Sequence, residues 1–400
     1  MSLGPISAWM ARRRRFDVVF YTPWIGSLLS PGALPSGGAE TQVLLLSRAL
    51  AARGLRVAVV VFELEGLPAQ AHGVTVIVRP RYRRRQGLLG KAEEVLNIFR
   101  SLWRAPSRVI VRRGASIDLP LIGLYARLTR TRFLFASASL VDFDYAQIDS
   151  SRRNSMLYRL GVRLASTVIV QSEEQAVMCR RYFGREPLLI KSLANPVIGS
   201  EITPTSFLWI GRIVAYKRPL AYAELARSMP HARFQMVGVP TPHGEAGERL
   251  VAEVGSAAAE LENLELLAPR PHTALMELVE HAVAVVSTSD FEGMPNTFLE
   301  AWSRGVPVMA LSHDPNGVIA RHGVGAFARG SADVLRDEAE RLWSERGSRA
   351  EVSRRCRDYI VAEHSAETVA GKWANELQGL DHASESASAN HSKDELTCAG

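Results

Sequence analysis

Asp290 to Leu311 reads DFEGMPNTFLEAWSRGVPVMAL, and the fold can be read outward from this stretch. The apolar run before it, AVAVVST (residues 282–288), is patterned as a parallel strand buried on both faces. A short loop with Gly293 and Pro295 follows. A helix is expected to open near Pro295 to Thr297 and to close at Gly305, before the next strand, VPVMAL. A strand, a loop and a helix N-terminus in that order place backbone N–H groups and the positive end of a helix dipole where a phosphate can bind. Gly293, Met294, Pro295, Asn296 and Thr297 would form that turn. Glu292 stands before the helix and Glu300 lies inside it, with seven residues between them. Carboxylates accept hydrogen bonds from vicinal hydroxyls while amides hold a diphosphate. The arrangement suits a ligand with phosphate in the middle and hydroxyls at both ends, such as a nucleotide-sugar. An acid on a helix with a surface acid ahead of it would give the same spacing, but the whole run EGMPNTFLEAWSRGVPV is far more specific than its two glutamates.

This Glu-x7-Glu segment resembles the donor site of retaining glycosyltransferases of the GT-B fold, family 4 above all. The resemblance implies two Rossmann-like α/β domains facing each other across a cleft. It covers about residues 16–378, and its motifs are more specific in the second half of the chain than in the first.

Four hundred residues allow two or three domains. A hydrophobic content of 47% and a charged content of 22% are those of an ordinary globular enzyme. No apolar stretch approaches the length of a membrane span. The N-terminus, MSLGPISAWMARRRRF, places its charges after its apolar residues, the reverse of a secretory signal. The three cysteines show no metal-ligand spacing, and a reducing cytosol is expected. Net charge is +7, unevenly spread: residues 1–200 hold 29 Lys+Arg and 13 Asp+Glu, or 29 − 13 = +16, which leaves 19 − 28 = −9 for residues 201–400. Such asymmetry suggests an anionic partner for the first half. Basic clusters at Arg12 to Arg15 and Arg79 to Arg85 admit nucleic acid or an anionic membrane surface, and an Arg-rich solvated surface explains them equally well.

Strand and helix signals alternate almost throughout, the pattern of parallel α/β layers. Strands are expected at FDVVFYT, LRVAVVVF, VTVIV, RVIVRR, RFLFAS and STVIVQS. Helices are expected at AETQVLLLSRALAARG and near residues 88–104, 118–129, 151–165 and 173–182. In LLIKSLANPVIGSEITPTS the helix signals stop, and Pro196 and Pro204 mark an interdomain linker. A second α/β domain opens at FLWIG and continues through RFQMVG, NLELLA, AVAVVST and VPVMAL. The expected division is a basic segment at 1–15, a first domain at 16–200, a second at 201–363 and a polar, disordered tail at 380–400. By resemblance, a last helix at about 364–378 completes the first domain. Lys393 to Leu396 reads KDEL, but four residues follow it, so it is not a terminal retention signal.

Further motifs fit the donor site. In WIGRIVAYKRP, Arg212 and Lys217 follow Gly211, expected to end a strand, and would lie in a loop at the carboxyl edge of the sheet, where α/β proteins bind ligands. Two cations there can neutralise a diphosphate and stabilise charge on a departing nucleoside diphosphate. This Gly-Arg-x4-Lys pattern resembles the matching family element, although alone it reads as a solvated basic turn. SGGAE places Gly37 and Gly38 between the first strand and its helix, where glycines allow close approach of a ligand. The family has a similar turn facing the donor phosphates. The Gly-x-Gly-x-x-Gly dinucleotide spacing is absent there.

ASASLVDFDY (residues 136–145) follows a first-domain strand. Many family members place a sugar-contacting His near this point, and this chain has none. Asp142 or Asp144 could orient the acceptor or act as a base, or both could be solvated loop acids. The pair also reads as Asp-x-Asp, the metal motif of a different glycosyltransferase fold, but no metal is expected. His313 and Asp314 of SHDPNGVI could approach the donor, although a turn of this composition explains itself. Arg270 could approach the nucleobase.

The resemblance implies a metal-independent, retaining, hexosyltransferase-type enzyme with no cofactor beyond its UDP- or GDP-sugar. Glu292 would serve the reacting sugar and Glu300 the ribose. The acceptor would be a glycan or lipid-linked glycan of cell-surface polysaccharide or glycolipid assembly. The expected location is the cytoplasm, at the inner face of an anionic membrane touched by the basic first domain. The alternatives are a sugar-nucleotide epimerase of the same fold and a catalytically idle scaffold. A nucleic-acid-binding protein would explain the basic half but not the second-domain motifs.

Overall fold

A computed structural model describes residues 15–30, 37–80, 88–144, 151–197, 202–241 and 244–379. Several expectations lie outside these residues: most of both arginine clusters (12–14 and 81–85), Ser36 of the glycine turn, Tyr145, residues 198–201 of the linker, and the tail with its KDEL and Cys398. The described chain divides into two compact units. Unit 1 takes its described residues from 15–170, 176–193 and 366–379, and unit 2 holds 171–175 and 194–365.

Unit 1 is built on eight strands: β1 (Phe16–Tyr21), β2 (Val57–Phe62), β3 (Gln70–Ala71), β4 (Val74–Arg79), β5 (Ser107–Arg113), β6 (Arg132–Ala136), β7 (Thr167–Val170) and β8 (Leu188–Leu189). They lie in the order β3-β4-β2-β1-β5-β6-β7-β8. Every pairing is parallel except that of β3 with β4. The helices are α1 (Gly38–Ala52), α2 (Leu88–Arg104), α3 (Leu119–Thr129), α4 (Arg152–Leu164) and α5 (Glu173–Phe183). The central strands are continuous Val/Ile/Phe runs because both faces are covered. Ile98, Leu102, Ile122, Tyr158 and Val162 from α2, α3 and α4 fill one side. Leu46 and Leu50 of α1 fill the other, with Trp373 and Leu377 from a helix near the chain's end.

Unit 2 has six parallel strands: β9 (Ser206–Ile213), β10 (Phe234–Pro240), β11 (Leu264–Leu267), β12 (Ala282–Ser287), β13 (Val308–Ala310) and β14 (Gly325–Phe327). Their order is β11-β10-β9-β12-β13-β14. Its helices are α6 (Pro219–Ser228), α7 (Gly244–Glu260), α8 (His272–Glu280), α9 (Asn296–Ser303), α10 (Val318–His322), α11 (Ala332–Ser344) and α12 (Ala350–His364). Tyr222, Val254 and Leu335 pack one face of this sheet, and Met276, Phe298, Trp302 and Ile360 pack the other. The last helix, α13 (Ala366–Gln378), belongs to unit 1. Arg132 donates to the Glu376 carboxylate and to its backbone carbonyl at 2.8 Å, and Thr167 Oγ1 donates to the same carboxylate at 2.9 Å. No described helix is long and apolar enough to cross a membrane.

Two local readings change. The stretch expected as linker from Leu188 begins as strand β8, paired with β7. Gln42 then stands in for a further strand: its Nε2 donates to the Leu193 carbonyl at 3.0 Å, and its Oε1 accepts from the Leu193 amide at 2.7 Å. After the short excursion at 171–175, the chain therefore passes to the body of unit 2 only after Leu193. Strand β9 also runs past Gly211 to Ile213, because β10 continues to Pro240 and pairs Val239 with Arg212. Arg212 is thus a strand residue rather than a loop residue.

Candidate functional site

Strand order decides where each unit binds a ligand. In unit 2 the order reverses between β9 and β12, and such a switch point opens a crevice at the carboxyl ends of the strands. Lys217 follows β9 and Glu292 follows β12. Lys217 Nζ donates to Glu292 Oε1, and Ser289 Oγ donates to the same oxygen at 2.9 Å. Both side chains are mostly shielded, Lys217 at 19% and Glu292 at 16% exposed.

The two loops are knitted together beneath this pair. Trp209 Nε1 donates to Thr288 Oγ1 at 3.1 Å, and Thr288 Oγ1 donates to the Lys217 carbonyl at 2.7 Å. The Asp290 amide donates to the Tyr216 carbonyl at 2.9 Å. The Tyr216 and Phe291 rings stack 5.0 Å apart at 16°. Arg212 donates to the Tyr216 hydroxyl at 2.9 Å, which fixes the exposed guanidinium beside the stack. Gly211 has a packing reason: a Cβ there would lie 3.1 Å from the Trp209 ring and 3.5 Å from Lys217 Cδ. A side chain would press on the Trp209 ring that underlies the pair.

Helix α9 starts where the phosphate turn was expected. Pro295 occupies its N-cap and supplies no side-chain acceptor, so a bound anion can take that role. Gly293, Met294, Pro295, Asn296 and Thr297 are all partly exposed in this turn. The helix ends at Gly305 with φ +74°, where a Cβ would collide with the Arg357 guanidinium and Ser353. Glu300, on the same helix, accepts from His272 Nε2 at 2.9 Å. His272 opens α8, two residues after the partly exposed Arg270. The sequence reading missed His272, Ser289, Thr288 and the Tyr216–Phe291 stack. The hydroxyl run STS, which starts with the last residue of β12 and leads into the acidic loop, was an available signal for two of them.

Asp314 and His313 separate. Asp314 caps α10, accepting from the Ile319 amide at 2.8 Å and the Ala320 amide at 3.1 Å. His313 Nε2 is shielded and has no hydrogen-bond partner among the described residues.

In unit 1 the order reverses between β1 and β5, so the loops after those two strands meet at its switch point. Gly37 is the N-cap of α1 and Gly38 its first residue. A Cβ on Gly37 would lie 2.8 Å from Glu40 Oε2, so the glutamate folds back across the turn. At the end of β5, burial lowers the Arg113 pKa to about 10, against the opposing pull of Asp142 and Glu40.

Asp142 is not placed as a base. It is 4% exposed, and its carboxylate accepts from the Ala115, Ala138 and Ser139 amides at 3.3, 2.6 and 3.2 Å. Burial raises its pKa, while these amides and Arg113 oppose the rise. It closes a capping box with Ser139 on the short 3-10 turn Leu140–Phe143. The carboxylate therefore organises the loop from inside, with no face turned to an acceptor. Among the described residues no cluster of three His, Cys, Asp or Glu could hold a metal ion.

Known proteins align with both units. Residues 37–193 match the Glycosyl transferase 4-like domain, and residues 196–359 match Glycosyl transferases group 1. No curated protein matches the chain by sequence search. Among solved structures, sucrose-phosphate synthase from Thermosynechococcus elongatus is similar with a TM-score of 0.71 at 18% identity, covering 92% of this chain and 99% of its own. HepE from Anabaena, in complex with UDP and glucose, gives 0.69 at 16% identity, covering 91% and 100%. WaaG, a glycosyltransferase involved in lipopolysaccharide biosynthesis, gives 0.61 at 14% identity, covering 90% and 100%. These likenesses carry the GT-B fold, and the two family matches together take in most of the chain. The chain belongs to the group 1 glycosyltransferases, with a glycosyl transferase 4-like first domain and a GT-B fold.

Proposed function

We propose that this glycosyltransferase moves a sugar from a nucleotide-sugar to an acceptor hydroxyl with retention of anomeric configuration and without a metal ion. The observation that carries the reading is the shielded Lys217–Glu292 pair at the unit 2 switch point, beside the start of α9, whose N-cap Pro295 offers no side-chain acceptor. The diphosphate would lie on the turn from Gly293 to Thr297, drawing on Lys217 and Arg212 for charge. Two cations there do the work that a divalent ion does in other phosphate sites. Glu300, oriented by His272, would accept from the ribose hydroxyls. Glu292 would accept from hydroxyls of the sugar and stabilise positive charge at its anomeric carbon.

In the transfer step, the bond from the anomeric carbon to the phosphate oxygen breaks. The acceptor oxygen forms its bond on the same face, and the acceptor proton passes to the departing phosphate. No side chain need act as a nucleophile. A UDP-sugar is the first donor to try, because the similar HepE structure holds UDP and glucose. Arg270 is the residue we place nearest the nucleobase. The acceptor would be a glycan or lipid-linked glycan of cell-surface assembly.

The test is binding and slow hydrolysis of UDP-, GDP-, ADP- and TDP-sugars, with wild type beside Glu300→Ala and Lys217→Ala. One donor bound, cleaved to its nucleoside diphosphate with chelator present, and lost in both variants is expected. Epimerisation without an acceptor would replace transfer with isomerisation. Failure of every donor would leave a binding scaffold. The anomeric configuration of the product, read by NMR, checks retention.

A further inference from the structure

One deeply buried arginine of unit 1 has no partner. Arg113 ends β5 and is 8% exposed. Its guanidinium makes no hydrogen bond or ion pair with any described residue, and its Nε is shielded from solvent. Asp142 and Glu40 act on it only as nearby charges. The other deeply buried arginines of this unit are paired, Arg79 with Glu94 and Arg112 with Asp118. Burying an unpaired guanidinium is strongly unfavourable, and proteins keep such groups at functional sites, where a ligand supplies the missing partner.

The sheet aims this group at a definite place. β1 and β5 pair with Phe20 opposite Val111, so two residues further on Thr22 and Arg113 stand level at the carboxyl edge. Phe20 and Val111 lie in the core that Leu46 and Leu50 of α1 fill. By the strand period of two, Thr22 and Arg113 project to that same side. Thr22 is 3% exposed, and its Oγ1 also has no partner among the described residues, although Thr22 is the N-cap of the 3-10 turn Pro23–Leu28. On this side α1 begins, where the N-cap Gly37 has no side chain to receive the first amides. Glu40, in the first turn of α1, reaches back towards Gly37 and is near enough for its charge to act on Arg113.

A planar guanidinium, a hydroxyl and helix amides make a donor set for an oxyanion. Glu40 adds an acceptor beside them. A bare phosphate would meet that carboxylate as a repulsion. An acidic sugar meets both features at once: its carboxylate or phosphate takes the guanidinium, and a ring hydroxyl donates to Glu40. We infer that Arg113, Thr22 and the start of α1 form a subsite for the acidic group of the acceptor, a uronate or a sugar phosphate. Calling this ligand the acceptor rests on the transfer reaction proposed above. The test binds the sugar without a donor, so the subsite and the transfer reading can fail separately.

The experiment is titration of the full chain with glucuronate and glucose 6-phosphate, beside glucose and inorganic phosphate, read by ligand-observed NMR. The variants are Arg113→Met, which keeps the volume and removes the donors, and Thr22→Val. UDP binding to each protein is measured in parallel. At least one sugar acid should bind wild type more tightly than glucose and than phosphate. Arg113→Met should lose about 10- to 100-fold of that affinity, and Thr22→Val about 5-fold. UDP should bind all three proteins alike. Without ligand, Arg113→Met should melt at or above the wild-type temperature, because a buried unpaired charge has gone. An arginine kept for structure would shift the melt the other way, and that result would overturn the inference. So would a wild type that prefers neither acid over glucose and phosphate, or variants that keep the preference. Loss of UDP binding in Arg113→Met would assign the group to the donor and would equally overturn it.

Discussion

Lys217 and Glu292 are 75 residues apart in sequence and share a hydrogen bond at the carboxyl edge of one sheet. The contact exists because β9 and β12 are neighbours across the switch point, so the loops that follow them converge. Thr288 fixes the lysine backbone from below, and the Tyr216–Phe291 stack fixes it from the side. An ammonium and a carboxylate held this way are set in place before any ligand arrives. Such groups stabilise charge in a reaction without reorganising during it.

The two residues should therefore act as a unit. Lys217→Ala and Glu292→Gln are each expected to lower kcat/KM by about 10²-fold or more. The double variant should lose much less than the product of the two, because either single change already leaves a shielded partner unpaired. Steady-state kinetics on all four proteins measures this. Strictly multiplicative losses would mean that the two side chains serve separate steps.

Glu300 and His272 form the second coupled pair, at 2.9 Å. Glu300→Ala should weaken nucleoside diphosphate binding by about 10- to 100-fold, the range of a hydrogen bond to a charged group. His272→Ala should weaken it less, since the carboxylate remains and only its orientation is lost. Calorimetric titration of both variants tests the order. A His272 variant weaker than the Glu300 variant would place the imidazole itself against the nucleotide.

These two pairs differ in how far they could be read from the sequence. Lys217, Glu292 and Glu300 sit in patterns whose residue types already suggest a diphosphate and hydroxyls. The elements around them were equally legible, because strands buried on both faces are apolar runs and Gly305 marks a helix end. His272 was not legible, since its partner lies 28 residues away and only the placement of α8 against α9 brings them together. Asp142 was misread for a related reason. An acid after a strand looks available for catalysis until the three amides around it are seen.

Both described cysteines should be silent in the native protein. Burial pushes the Cys179 thiol up to about 11 and the Cys356 thiol higher still. Only the thiolate attacks a disulfide reagent, and neither side chain is exposed. In the variant Cys398→Ser, which removes the third cysteine, a thiol-reactive dye should label neither position until denaturant unfolds the chain. Prompt native labelling of one thiol would show that the helix carrying it, α5 or α12, opens locally.

Asp142 gives a prediction with a definite sign. Burial raises its folded pKa above the unfolded value, against the pull of three amides and Arg113. Between those two values the folded state binds more proton than the unfolded state. Stability from this group is therefore fully present below the unfolded pKa and is lost as pH rises through the folded one. An asparagine in its place would keep the shape and an acceptor oxygen but cannot ionise. The melting temperature of Asp142→Asn relative to wild type should thus move upward from about pH 4 to pH 7. Asp142→Ala, which leaves the amides of Ala115, Ala138 and Ser139 without their acceptor, should be destabilised at both ends by about 1–3 kcal/mol or more. The measurement is a set of thermal melts across that range. If the asparagine variant instead loses ground as pH rises, the amides and Arg113 outweigh burial, and the ionised carboxylate is what holds the loop after β6.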